Sequence, residues 1–162
     1  MSDTEDIKIY RDTGAALVAD LRYFPLMIVA WHGVATMKLV DEYYKVRWAM
    51  DAQAKQKNTK VIIVTDLSEF KPPPATIRKE LAERAIATDA SDAFYRYVTV
   101  VPSALLRGVL TAIQWIGGEQ LRENTNVPTI DRAIALSLAE YEKLGIPPLR
   151  IQADSYKVPL PE

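Results

Sequence analysis

His32 is the one histidine in a chain of 162 residues that contains no cysteine. Much acyl-transfer and metal chemistry draws on those two residue types. Without cysteine there is no thiolate nucleophile, no disulfide, and no thiolate-ligated zinc or iron–sulfur site. A single histidine has no second imidazole with which to share a metal. A serine–histidine–aspartate set can be written around His32, but no Gly-x-Ser-x-Gly turn exists to hold the serine. The carboxylate pairs Asp41–Glu42 and Asp89–Asp92 fall in helix-surface or loop contexts and read as solvated charge. There is no Walker A loop, no Gly-x-Gly-x-x-Gly and no His-Glu-x-x-His. The six glycines do not cluster after any strand. The expectation is therefore no catalytic residue, no metal ligand and no cofactor. The chemistry left is recognition.

Recognition has one clear candidate, the stretch Lys60–Arg78, KVIIVTDLSEFKPPPATIR. A β-branched run ends on Asp66, enters a loop stiffened by three prolines, and re-emerges as a helix. In an open α/β sheet, ligands and partners dock beyond the C-terminal ends of the strands. A loop ordered in advance also loses less entropy on binding. The residues expected to meet a partner are Asp66, Ser68, Glu69, Phe70, Lys71 and Arg78. Phe70 stands out as apolar and loop-borne. Asp66 has two other uses: accepting from Arg78, or capping the loop through backbone N–H groups. Ser68 and Thr76 are the hydroxyls near this surface. Turn formation and helix capping are their ordinary work. A phosphate on Thr76 would sit at a helix N-terminus, where unpaired N–H groups and the macrodipole favour it.

The elements that position this stretch follow from periodicity and punctuation. Residues 1–6 are expected to fray, and Ile7–Arg11 alternates like a short edge strand. Asp12–Arg22 reads equally as a strand pair or a helical turn. Leu26–Trp31 is a buried strand with Gly33 as its breaker. Thr36 then caps a long helix. Leu39, Tyr43, Val46 and Met50 form its apolar face, with Val40, Tyr44 and Trp48 beside them and Lys45, Arg47, Asp51 and Lys55 elsewhere. Val61–Thr65 is the second core strand. Pro74 opens helix 75–88, whose inward stripe is Ile77, Leu81 and Ala85. Tyr97–Val101 is the third core strand. Leu106, Val109, Leu110, Ile113 and Ile116 stripe the next helix, and Gly117–Gly118 ends it. Val127 adds a short strand. Ile130, Ala133, Ile134, Leu138 and Tyr141 face inward from the last helix, which Gly145 and Pro147–Pro148 stop.

Strands separated by single helices imply parallel neighbours and right-handed crossovers. The expected architecture is one α/β domain over 1–148, with a mostly parallel sheet of four to five strands and about four helices. Residues 149–162 form a proline-containing tail that lies extended over the body. The length suits one self-supporting core. A net charge of −1 disfavours nucleic acid, which rewards a clear excess of Lys and Arg. The acidic N-terminus has no apolar core of the signal-peptide kind, and Phe24–Trp31 is too short to span a bilayer. The expected compartment is the cytoplasm.

Three segments carry a family resemblance: VIIVTDLSEF at 61–70, YVTVVPSALLRGVL at 97–110 and VPTIDRAIALSLAEY at 127–141. Together they resemble the STAS domain of anti-sigma-factor antagonists and the wider SpoIIAA-like superfamily, over about residues 25 to 145. The resemblance implies a SpoIIAA-like fold and a non-enzymatic regulatory module that binds a protein partner. Phosphorylated members carry Asp-Ser-Ser-Gly at the start of the helix after the Asp-Leu-Ser strand. Here the corresponding residues are Pro74, Ala75, Thr76 and Ile77, so only Thr76 keeps a hydroxyl. The chain is thus similar to the branch that lacks the phosphoserine motif.

Two functions follow as expectations. The first is an interaction module working through the loop after the second core strand. The alternative is a carrier of a small molecule or lipid, with Tyr43, Tyr44, Trp48, Tyr95, Tyr97 and Trp115 around an apolar cavity. Aromatic stripes at helical spacing are usually core, so the interaction module ranks first. Trp115 lies off its helix's stripe and, if exposed, would mark an interface. An exposed apolar helix face would favour a homodimer.

Overall fold

LMIVAW and VIIV contain almost nothing but apolar side chains, the pattern of strands covered on both faces. They begin the two central strands of the sheet. A computed structural model describes residues 6–89, 91–104, 107–108 and 124–162. Its elements are β1 (Ile7–Asp12), β2 (Ala15–Asp20), β3 (Leu26–Val34), α1 (Met37–Gln56), β4 (Val61–Lys71), α2 (Ala75–Asp89), β5 (Phe94–Val100), β6 (Asn124–Val127) and α3 (Ile130–Lys143). The strands form one six-stranded sheet in chain order, β1 to β6. The β1–β2 and β2–β3 pairs are antiparallel, and β3–β4, β4–β5 and β5–β6 are parallel. The α/β domain with a mostly parallel sheet is as expected. The sheet has six strands, however, rather than four or five.

The additional strand comes from Asp12–Arg22. All six residues of β2 are buried, including Asp20, so no alternation announces it. Its hairpin turns on Thr13 and Gly14, with φ of 46° and 81°. Positive φ at both central residues is what a two-residue type I′ turn requires.

Alternate residues of β3 and β4 feed two separate cores. Parallel strands joined in order by right-handed crossovers place their helices on one face, and α1 and α2 pack there together. Met27, Val29, Trp31, Ile63 and Leu67 meet Leu39, Val40, Tyr43, Met50 and Ile77 on that side. On the other face, Leu26, Ile28, Ile62, Val64, Val98 and Val100 meet Ala133, Ile134 and Tyr141 of α3. Thr36 caps α1 by accepting from Leu39 N at 3.3 Å. Its hydroxyl also donates to Asp12 Oδ2 at 2.7 Å, tying the helix start to the β1–β2 hairpin.

Arg47 departs from its expected place on the polar side of α1. It is fully buried, while Trp48 is 55% exposed. The spacing explains the exchange: 40, 43, 47, 50 and 54 recur at intervals of three and four, so Arg47 falls in the middle of the inward stripe. Its guanidinium lies 4.4 Å from the Phe94 ring centre and 5.1 Å from that of Tyr97, and it donates to the Tyr97 hydroxyl.

Beyond α3 the chain runs across the second face. Ile151 is buried, and Leu149, Ala153 and Tyr156 pack against the same core. Near the end, the Pro161 carbonyl accepts from Arg11 Nε at 3.0 Å and Nη2 at 2.6 Å, which brings the tail to the β1 edge. The stripe Leu106, Val109, Leu110, Ile113 and Ile116, the Gly117–Gly118 stop and Trp115 lie outside the described residues.

Candidate partner-docking site

β4 does not stop at Thr65. It runs to Lys71, pairing Glu69 with His32, Phe70 with Gly33 and Lys71 with Val34. Between the pairs Ala30–Asp66 and His32–Glu69 the register shifts, so Leu67 and Ser68 together stand opposite Trp31. This is a β-bulge, which bends a strand and re-aims its side chains. Val61 and Ile63 ahead of it and Leu67 within it face the α1–α2 core; after it, Phe70 does. Phe70 is therefore a half-buried strand residue packed on that core, not the loop-borne side chain that the sequence suggested.

Asp66 organises the bulge. Its Oδ1 accepts from Ser68 N at 3.0 Å and from Ser68 Oγ at 2.6 Å. Of the three uses foreseen for this carboxylate, backbone capping is the one its geometry expresses. Arg78 turns elsewhere, and its Nη1 donates to the Pro73 carbonyl at 2.7 Å. The Pro74 carbonyl accepts from Ile77 N at 3.0 Å and Arg78 N at 3.1 Å, which starts α2 directly after the prolines. Proline suits this junction because the first helical N–H groups have no intrahelical partner. Pro73 is buried, whereas Pro72, Pro74 and Thr76 are exposed. Thr76 is the second residue of α2.

The six expected docking residues thus share one rim but not one role. Ser68, Glu69 and Lys71 are exposed, Asp66 and Arg78 are half-buried in hydrogen bonds, and Phe70 anchors the strand from within. Sequence reasoning missed two neighbours. Val34, the partner of Lys71, is 42% exposed, and Met37, the first residue of α1, is 37% exposed. The signal was present in the segment after Trp31, where apolar residues continue past Gly33. Gly33 takes φ of +77°, and a Cβ there would lie 3.5 Å from the Ala15 backbone.

His32 belongs to β3 and lies between Ala16 and Glu69. Asp41 meets Arg84 Nη1 at 2.6 Å, and Arg84 Nε reaches Glu80 at 2.8 Å, so this charge joins α1 to α2. The aromatic side chains mostly pack on one another. Trp31 and Tyr43 ring centres are 5.5 Å apart, and Tyr43 and Tyr44 are 4.8 Å apart. Among the described residues, no group of three or more His, Cys, Asp and Glu side chains could hold a metal ion. No described helix is long and apolar enough to cross a membrane.

The structure is similar to a crystal structure of an anti-sigma factor antagonist from Mycobacterium paratuberculosis. The two share 17% sequence identity, with 80% of this chain and 91% of that chain covered and a TM-score of 0.42. No protein-family model matches the chain, and no curated protein does.

Proposed function

We propose that the chain is a non-enzymatic regulatory module that binds a protein partner through the rim formed by the end of β4, the triple proline and the start of α2. The observation that carries this reading is the bulged extension of β4. It holds Ser68, Glu69 and Lys71 exposed on a strand end that is paired along one side with β3. The Asp66–Ser68 and Arg78–Pro73 hydrogen bonds hold the rim from both sides. A surface ordered beforehand loses less entropy when a partner docks. Val34 and Met37 supply apolar area beside the charged residues, the mixture typical of a protein interface. The three segments resembling STAS domains support a regulatory role, and the first of them is β4 itself.

The test is affinity capture from the source cell, with bound proteins identified by mass spectrometry. Charge reversal at Glu69 and Lys71, both exposed, is expected to abolish capture while the far-ultraviolet circular dichroism is kept. Arg78→Glu should weaken capture as well, by releasing the Pro73 carbonyl. Phe70→Ala should weaken it with a loss of stability, because Phe70 packs on the core. Capture unchanged in all of these variants would end the proposal. A phosphoproteomic search for modified Thr76, exposed at the second position of α2, tests whether the same rim is switched by phosphate.

A further inference from the structure

β2 ends on Asp20, a carboxylate with no exposed surface. A charge in that position is stable only when paired and hydrogen-bonded. Asp20 Oδ1 accepts from Arg22 Nε at 2.9 Å and from Arg22 N at 3.2 Å. Oδ2 accepts from Arg22 Nη2 at 2.8 Å and from the Tyr156 hydroxyl at 2.8 Å. The network fixes the Arg22 fork and plants the C-terminal segment on the sheet. The Tyr23 ring lies 5.3 Å from the guanidinium and meets the Tyr156 ring edge-on at 6.0 Å.

Above this network is an open cleft of about 260 Å3, walled by the β2–β3 turn and by residues 150–157. That is room for about nine waters at ~30 Å3 each. Three cations line it, Arg22, Arg150 and Lys157, together with the polar groups of Gln152 and Ser155. Among the described residues no acidic side chain lines it; Asp20 lies beneath and is already shared. Among the described residues, Arg150 and Lys157 have no ion-pair partner. The local chain explains their presentation. Ile151 is buried, which turns its neighbours Arg150 and Gln152 outward. The Gln152 carbonyl then accepts from Ser155 N at 3.3 Å and Tyr156 N at 3.0 Å, closing a turn that brings Ser155 and Lys157 back to the cleft.

We infer that this cleft binds a phosphoryl dianion, as the phosphate group of a small phosphomonoester or as free phosphate. Three cations over one buried carboxylate leave a surplus of two positive charges, and a phosphomonoester carries about −1.5 to −2 at neutral pH. Arginine forks and hydroxyl donors match its oxygens in geometry. The cleft lies where β2 ends and β3 begins, at the opposite end of the strands from the docking rim.

Titration calorimetry with inorganic phosphate and with phenyl phosphate, at fixed ionic strength in sodium chloride, tests the assignment. Saturable binding of at least one is expected. Arg150→Ala and Lys157→Ala each remove an exposed, unpaired cation and should each weaken binding about tenfold or more, with the thermal midpoint of the unliganded protein kept. Phenyl phosphate binding more tightly assigns the monoester; equal affinities assign the phosphoryl group alone. Two results would overturn the site: no saturable binding of either anion at millimolar concentration, or binding that neither variant weakens. Lys71→Glu, at the other end of the strands, serves as the charge control and should leave the affinity unchanged.

Discussion

Tyr141 shows how much a single hydroxyl can hold in this protein. The β4–β5 ladder slips between Val61 and Ile62, whose partners are Phe94 and Arg96, so Tyr95 is passed over. The Ile62 N–H instead donates to the Tyr141 hydroxyl at 2.9 Å, inside the second core. Tyr141→Phe keeps the ring but leaves a buried N–H unpaired, a loss of about 1–3 kcal/mol. Urea denaturation with an unchanged slope would measure it. Burial also pushes the Tyr141 phenol well above its ordinary pKa, and burial followed by the Asp20 charge does the same for Tyr156. Both protons are therefore kept in the folded state at a pH where the unfolded chain releases them. Their contribution is complete below the ordinary tyrosine value of about 10 and is lost as pH rises through the folded values. The urea midpoint of the native protein should begin to fall near pH ~10 and keep falling above it, and the fall should be shallower in Tyr141→Phe/Tyr156→Phe. Equal slopes would refute the assignment. Of these residues, Tyr141 was legible as an inward position on its helix, because spacing reports direction. Its bond to a strand N–H was not, since that depends on a slip in a ladder far away in sequence. Arg47 was misread because its charge outweighed its spacing.

At the scale of elements, apolar content made β3, β4 and β5 readable, and spacing and punctuation made α1, α2 and α3 readable. What escaped was structure made by backbone pairing. Residues 66–71 of β4 carry Asp, Ser, Glu and Lys, and the bulge at Leu67–Ser68 interrupts the period of two, so this half of the strand resembles a loop. β2 was hidden for the opposite reason, being buried on both faces. Its turn can be tested directly. A Cβ on Gly14 meets nothing within 4 Å, so Gly14→Ala isolates the backbone cost of φ +81°. That cost is about 1–2 kcal/mol, and a cost near zero would argue against the turn geometry. The tail beyond α3 was expected to lie over the body, and its residues do more than cover the surface, since Ile151 enters the second core. Ile151→Ala should cost about 2–5 kcal/mol, as much as truncating a residue in the sheet. Deleting 149–162 should expose Leu26 and Ile28 and give a protein that binds hydrophobic dyes.

The two candidate sites occupy opposite ends of the same strands. β3 begins beside the Arg22–Tyr156 cleft and ends at Val34 on the docking rim, and β4 runs parallel to it and ends at Lys71. Between them lie strand interiors packed on both faces, from Leu26 to Trp31 and from Val61 to Val64. A close-packed interior of this kind transmits strain only if it has a second arrangement to adopt. The described residues contain no hinge between the ends: the sheet is continuous from β1 to β6, and both cores span its middle. Substitutions far apart with no shared partners act independently, within about 0.3–0.5 kcal/mol. Lys71→Glu and Arg150→Ala meet that condition. The double variant should therefore show the stability change of the two single variants added together, the phosphate affinity of Arg150→Ala alone, and the partner capture of Lys71→Glu alone. Saturating phosphate should likewise leave capture by the native protein unchanged. A double-variant cycle that deviates by more than about 1 kcal/mol would show that the ends communicate. The C-terminal tail would then be the element to examine, because Pro161 and Tyr156 connect it to β1 and β2 at once.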